Sequence, residues 1–234
     1  MTTLSTKSSS IKIVLVGPSN AGKTSIAKRF TTDTFDEFQD MTVGSAFFSK
    51  QVTSKVHKTT VRVELWDTAG QEKFRSVAPM YFRNAAGALL VFDSTQPSSF
   101  DDCEKQWLPD LLPHLKNSTQ FIALCGNKCD LKKEDDQTMQ FLAKVETLAN
   151  SRGLKYFPTS AKKGENISEV FQYLVDEILE HRQQLKQQQQ QERQEGGGGV
   201  AGAGASRDDS SANPGAVDWE SGKKEKDNGG CCKK

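Results

Sequence analysis

No stretch of this 234-residue chain is apolar for long enough to cross a bilayer. The longest, Ala85 to Phe92, falls far short of the roughly 20 residues that a membrane-spanning helix needs. The N-terminus, M-T-T-L-S-T-K-S-S-S, lacks the apolar core of a secretory signal, and Thr2 stands where N-myristoylation requires glycine, so neither route is expected. An excess of either charge is also missing. With 31 Lys+Arg against 30 Asp+Glu the net charge is +1, which leaves no global field to recruit nucleic acid or an anionic surface. Any membrane affinity must be local. Five cysteines, two of them adjacent at 231 and 232, make no disulfide framework, and a reducing cytosol fits that usage. The three histidines, His57, His114 and His181, have no carboxylate or second ligand at useful sequence spacing, and are expected to be surface or core residues rather than catalysts. No role is evident for Cys103.

An apolar content of 35% is enough for a packed core but low for the whole chain, so part of it is expected to stay unpacked. Residues 11 to 16, I-K-I-V-L-V, precede a glycine-rich turn, and 61 to 65 alternate as a half-buried strand does. Runs at 86 to 92 and 121 to 125 read as buried strands. The last helix is the clearest: Ile167, Val170, Phe171, Leu174, Val175, Ile178 and Leu179 follow helical spacing, with Asn166 and Glu169 as a capping box. Strand and helix in alternation imply a mostly parallel sheet with helices on both faces. Between Ser98 and Leu115 the helical pattern meets Pro109 and Pro113, which predicts a break or kink near Trp107.

After His181 the composition turns to a glutamine run at 187 to 191 and a glycine run at 196 to 199. The helix is expected to fray into the glutamines, and from about 195 the chain cannot bury enough surface to offset its ordering entropy. A flexible tether of about 40 residues reaches roughly 35 Å on random-coil scaling.

Four strings carry the chemistry. In G-P-S-N-A-G-K-T, Gly17 and Gly22 let backbone amides converge on phosphate at a helix N-terminus, Lys23 reaches the β- and γ-phosphates, and Thr24 offers its hydroxyl to Mg²⁺. Taken alone this string suits ATPases and nucleotide kinases equally. N-K-C-D discriminates, because Asp130 can accept from both guanine N1–H and the exocyclic amine, a pair of donors adenine lacks. Asn127 and Lys128 brace and cover the base, and T-S-A-K brings the Ala161 amide near the guanine carbonyl. In W-D-T-A-G-Q, Asp67 holds the Mg²⁺ shell through water, Gly70 offers its amide to a γ-phosphate, and Gln71 is placed to orient an attacking water. Thr42, between the first string and Asp67, is the second candidate sensor of Mg²⁺ and γ-phosphate.

With these strings in this order, residues 9 to 183 resemble the Ras superfamily of small GTPases and, within it, the Rab branch. The stretches F-D-E-F-Q-D-M-T-V-G-S-A-F and S-V-A-P-M-Y-F-R-N-A are most similar to Rabs of the early-endosome subgroup. The resemblance implies a single α/β P-loop G domain at 9–183, with a six-stranded, mostly parallel sheet. It is flanked by a flexible N-terminus at 1–8 and a hypervariable disordered tail at 184–234. It implies binding of GTP and GDP with Mg²⁺, and hydrolysis of GTP that is slow until a GAP acts. The nucleotide site it implies comprises Gly17, Ser19, Asn20, Ala21, Gly22, Lys23, Thr24, Ser25, Phe35, Thr42, Gly70, Asn127, Lys128, Asp130, Ser160, Ala161 and Lys162. Phe35 is the residue that packs on guanine. Val43, Gly44, Phe47, Trp66 and Tyr81 form the effector surface, although an aromatic beside a strand is otherwise usually core. Ser19 is typical of the subgroup. Asn20 departs from it, and Y-F-R-N-A varies on the usual Y-Y-R-G-A.

Read as a CaaX box, the terminus has Lys in the last position and Lys233 where an aliphatic residue belongs. The ending resembles instead the two-cysteine substrates of the escort-protein-dependent geranylgeranyl transferase, with Cys231 and Cys232 each taking one geranylgeranyl group. Lys223, Lys224, Lys226, Lys233 and Lys234 would assist on an anionic leaflet. The partners implied are an exchange factor, a GAP, a GDP-dissociation inhibitor, a Rab escort protein and tethering effectors, around a monomer with no nucleic acid. The expected location is the cytoplasmic face of the early endosome or plasma membrane, with a cytosolic pool. Two other readings are a secretory or recycling Rab, and a GTP-dependent scaffold that scarcely hydrolyses, for which Asn20 is the motive.

Overall fold

The computed structural model describes residues 10–71, 77–116 and 118–195. Cys231, Cys232 and the terminal lysines lie outside the described residues, as does the expectation of disorder beyond 195. Six strands, β1 (Ser10–Val16), β2 (Ser45–Thr53), β3 (Thr60–Thr68), β4 (Gly87–Asp93), β5 (Ile122–Asn127) and β6 (Lys155–Pro158), pair in the order β2-β3-β1-β4-β5-β6. Among these strand pairings β2–β3 is antiparallel and the other four are parallel.

Alternation along the central strands divides the core into two layers. Ile11, Ile13, Leu15, Leu89, Val91, Ala123 and Cys125 face one side, where α1 (Lys23–Thr32) and α6 (Ile167–Glu195) cover them. There Phe30 stacks on Phe171 with ring centroids 3.8 Å apart. Val14, Val16, Leu90, Phe92, Ile122 and Leu124 face the other side, against Phe100, Trp107 and Leu111, and against Val145 and Ala149 of α5 (Asp136–Ser151). Each fully buried Val, Leu, Ile or Phe among them contributes about 1.5–3 kcal/mol of transfer free energy. The strand ends of β1, β3 and β5 therefore sit on a rigid platform and deliver Gly17, Asp67 and Asn127 to one edge of the sheet.

The proline-interrupted segment changes pitch rather than stopping. After α2 (Ala78–Phe82), α3 (Pro97–Asp102) passes into a π-helical turn at Cys103–Trp107, then α4 (Leu108–Leu111), then a 3₁₀ turn at Leu112–Leu115. Pro109 and Pro113 each fall in the first turn of a segment of new pitch, so the hydrogen-bond pattern changes where each proline lacks an N–H.

Two local expectations require correction, and a third residue, His57, takes a partner that sequence spacing does not show. Asn166 is not a capping-box residue: its backbone is left-handed, φ 55°, and its side-chain amide donates to the Pro158 carbonyl at 2.6 Å, tying α6 to β6. The final helix does not fray in the glutamine run but continues through it to Glu195. His57 does have a carboxylate nearby, supplied from far along the chain. Its Nε2 lies 3.6 Å from Glu180 and 3.3 Å from the Asp176 carbonyl, both on α6, and its side chain is almost wholly buried. No described helix is long and apolar enough to cross a membrane.

Candidate nucleotide-binding site

Between β1 and α1 the chain turns through Gly22, whose φ of 88° suits glycine and where a Cβ would lie 2.2 Å from the Asn127 side-chain nitrogen. The turn thus brings the α1 N-terminus close to the end of β5. Lys23, buried, curls its ammonium onto the Gly17 and Pro18 carbonyls at 2.9 and 2.8 Å. Burial pulls its pKa down to about 8, with nearby Asp67 opposing that shift. Gly70 approaches so closely that a Cβ there would sit 2.4 Å from the Lys23 ammonium and 2.5 Å from Pro18 backbone.

Beside this turn three oxygens converge from three parts of the chain. Thr24 donates to Asp67 Oδ2 at 2.6 Å, Thr42 donates to the same oxygen at 3.2 Å, and the two hydroxyls are 2.7 Å apart. Asp67 is fully buried, and its other oxygen, Oδ1, has no hydrogen-bond partner. Burial raises the carboxyl pKa, against the hydrogen bonds from Thr24 and Thr42 and the charge of Lys23. Two hydroxyls and a carboxylate with an orphaned oxygen form a hard oxygen donor set that suits Mg²⁺ when phosphate oxygens complete the shell. Among the described residues no cluster of three His, Cys, Asp or Glu offers a competing metal site.

At the far end of the cleft, Asn127 bridges two loops. Its side-chain amide donates to the Ala21 carbonyl at 2.9 Å, and its Oδ1 accepts from the Ala161 amide at 3.1 Å. The Ala161 amide, expected to face the base, is held here by Asn127. Asp130 Oδ1 accepts from the Ser160 hydroxyl at 2.6 Å, and Lys128 reaches Asp93 at 2.7 Å.

These groups frame one cleft of about 270 Å³. Ser19, Asn20, Gly22, Lys23, Thr24, Ser25, Phe35, Thr42, Gly70, Gln71, Asn127, Lys128, Asp130, Ala161 and Lys162 all line it. Gly17, Ala21, Ser160 and Asp67 stand behind that wall and act through the bonds just given. Glu37, Met41, Thr68 and Leu131 line it too and were not read from the sequence. Glu37 pairs with Lys162 at 3.1 Å, and Met41 Sδ accepts from the Gln71 amide at 3.3 Å. Neither contact has a short-range sequence signal, since each joins residues on separate loops.

On the surface flanking Thr42, Phe47 and Trp66 are cross-strand partners with ring centroids 5.6 Å apart, and Tyr81 lies 6.2 Å from Trp66. The Lys12 ammonium sits 4.6 Å from the Trp66 ring centroid. Val43 and Phe47 are exposed, Trp66 and Tyr81 half-buried, and Gly44 has φ 74°.

Comparison with known proteins agrees with this geometry. The model of the Ras family matches residues 12–180. The Ras-related protein RABF2b of Arabidopsis thaliana is 44% identical over 165 residues, covering 70% of this chain and 79% of the relative. The GTP-binding protein YPT53 of Saccharomyces cerevisiae is 43% identical over 171 residues, 72% of this chain and 76% of its own length. The Ras-related protein Rab5A of Oryza sativa subsp. japonica is 40% identical over 172 residues, 74% and 81% respectively. A phosphate-binding turn, an oxygen-donor cluster beside it and a braced N-K-C-D loop in one cleft, over a matched span of this length, place the chain in the Ras family, among its Rab-type small GTPases.

Proposed function

We propose that this Rab-type GTPase binds GTP and GDP with Mg²⁺ in the cleft between the P-loop and N-K-C-D, and works as a lipid-anchored switch in endocytic trafficking. The convergence of Thr24, Thr42 and Asp67 on one carboxylate oxygen carries the reading. Thr24 belongs to the phosphate-binding helix and Thr42 to the loop leading into β2, so a Mg²⁺ held by both hydroxyls links loop position to the phosphate present. Mg²⁺ would neutralise developing charge on the phosphates there. Lys23 would exchange its carbonyl partners for phosphate oxygens, and Gln71 would leave Met41 to orient water.

The loop ordered by GTP is continuous with the Phe47–Trp66–Tyr81 face, which gives effectors a surface that reports the nucleotide. Regulators and effectors accompany the family; a GDP-dissociation inhibitor and an escort protein follow from the two-cysteine ending. Geranylgeranyl groups on Cys231 and Cys232, with the neighbouring lysines, would anchor the chain to the cytoplasmic face of early endosomes or the plasma membrane.

Single-turnover hydrolysis of bound GTP tests the chemistry. Gln71→Leu is expected to slow it by about 10²-fold, and an unchanged rate would leave a scaffold rather than an enzyme. Imaging of tagged wild-type and Gln71→Leu protein against a fluid tracer in its first minutes of uptake tests the route. Overlap with enlarged compartments supports it, whereas Golgi or recycling labelling rejects it.

A further inference from the structure

One side chain outside the cleft ties its base end to α1. Arg29, in the last turn of α1, donates from Nε to the Ala161 carbonyl at 2.8 Å and from Nη2 to the Lys162 carbonyl at 2.9 Å. Its Nη1 donates to the Asp33 carbonyl and side chain, both at 2.9 Å, which fixes the guanidinium plane against the helix end. The Arg29 side chain is only 17% exposed, and of its charge-assisted bonds the one to the Ala161 carbonyl is partly buried while the others lie at the surface.

The consequence falls on a single peptide. Ala161 has its N–H held by Asn127 and its C=O held by Arg29, while Asn127 in turn holds Ala21 of the phosphate loop. Lys162, whose carbonyl Arg29 also grips, reaches across the cleft mouth to Glu37. A lysine in place of Arg29 has one ammonium, without the planar fork that spans two successive carbonyls. A hydrogen-bonding site that reads a base edge depends on placement to within a fraction of an ångström, and the supporting contacts set that placement.

We propose that Arg29 is a positioning residue for guanine recognition: by clamping the Ala161 and Lys162 carbonyls it sets how tightly and how selectively the T-S-A-K loop holds the base. This rests on the assignment of the base end to N-K-C-D and T-S-A-K. The residue touches no substrate. It acts through the loop, so its loss should speed nucleotide release without changing cleavage of GTP already bound.

The test compares full-length wild type with Arg29→Gln, Arg29→Lys and Asp33→Ala, using release of N-methylanthraniloyl-GDP in excess Mg²⁺, single-turnover GTP cleavage, and thermal unfolding. Arg29→Gln is expected to release GDP about tenfold faster, the scale of one charge-assisted hydrogen bond. Cleavage of bound GTP should stay within about twofold, on the same scale. Its preference for GDP over the diphosphate of 2-aminopurine riboside, which lacks the 6-oxo group, should fall by a similar factor. Arg29→Lys should be intermediate, and Asp33→Ala, which leaves both loop bonds in place, should match wild type. Equal acceleration for both bases, a parallel loss of cleavage, or Asp33→Ala behaving as Arg29→Gln would overturn the proposal in favour of general helix stabilisation. Asp130→Asn, run alongside, probes the base site itself. If that variant kept normal GDP affinity, the site assignment would fail independently of Arg29.

Discussion

Thr24 and Thr42, 18 positions apart, hold their hydroxyl oxygens 2.7 Å from one another, and both donate to Asp67. The two are not equivalent. Thr24 is held in the first turn of α1, whereas Thr42 lies on a loop before β2 and belongs to no helix or strand. Thr24→Ala should therefore weaken Mg²⁺-dependent binding of GDP and GTP alike, by about tenfold for one lost ligand bond. Thr42→Ala should weaken GTP by a similar factor and leave GDP nearly unchanged. Calorimetric titration of both nucleotides with and without Mg²⁺ reads the difference; equal losses for both nucleotides in Thr42→Ala would contradict the switch.

The site was legible in the sequence because its chemistry is local. Gly22, Lys23 and Thr24 work from consecutive positions, and Asn127 and Asp130 from one turn, so short strings contain them. The β1, β3, β4 and β5 runs were legible because burial on their inner positions forces apolar residues there. Strand β2 gave no such signal. It is an edge strand with one face exposed; on the other Phe48 and Val52 pack against the core, but the exposed Phe47 and the charged Lys50 break the alternation of S-A-F-F-S-K-Q-V-T. Helix α5 does carry a periodic stripe, Phe141, Val145, Leu148 and Ala149 against the second core layer, so its signal is present in the sequence although the expected elements do not include it. Glu37, Met41 and Arg29 entered only with three-dimensional contacts, since each acts on a residue in another loop.

The cysteine inside N-K-C-D is a poor nucleophile. Partial burial, then hydrogen bonding and charge from Glu165, push the Cys129 thiol up to about 11. A raised thiol pKa means a protonated sulfur at neutral pH, and the thiolate fraction at pH 8 is on the order of 10⁻³. Maleimide labelling should accordingly be slow at pH 7 and climb with pH toward about 11. Glu165→Gln, which removes the negative charge, should lower that midpoint and speed labelling at pH 8. Cys103 and Cys125 are fully buried, and their thiols are raised further by burial, so the folded protein should protect both. Labelling of Cys129 that is fast at pH 7 and indifferent to Glu165 would show the thiol to be unperturbed.

The turn between β2 and β3 is pinned to α6 by partly buried polar bonds. Ser54 donates to Asp176 at 2.5 Å and accepts from the His57 backbone at 2.8 Å, with the His57 ring against Asp176 and Glu180. Ser54 is fully buried, so Ser54→Ala leaves the His57 amide without this acceptor and Asp176 Oδ1 with Gln172 as its remaining side-chain donor, at about 1–3 kcal/mol. For a domain of this size that corresponds to a fall in Tm of roughly 2–4 °C per kcal/mol. None of these residues lines the nucleotide cleft, so GDP release should be unaltered. Calorimetric unfolding and GDP release measured on the same sample separate the two effects.

The terminal cysteines make a graded prediction. One lipid chain gives marginal, reversible membrane binding and two give stable anchoring, so the single and double substitutions should not behave alike. Cys231→Ser and Cys232→Ser each leave one acceptor and should divide the protein between membrane and soluble fractions, with the Lys223, Lys224 and Lys226 cluster making the division sensitive to salt. The double variant should be soluble at any ionic strength while loading nucleotide normally, because the described residues that line the cleft all fall between 19 and 162. Flotation of prenylated protein on vesicles with and without anionic lipid, at low and high salt, measures each case. Continued flotation of the double variant would place the anchor elsewhere in the chain, and a single variant as firmly bound as wild type would show that one lipid suffices.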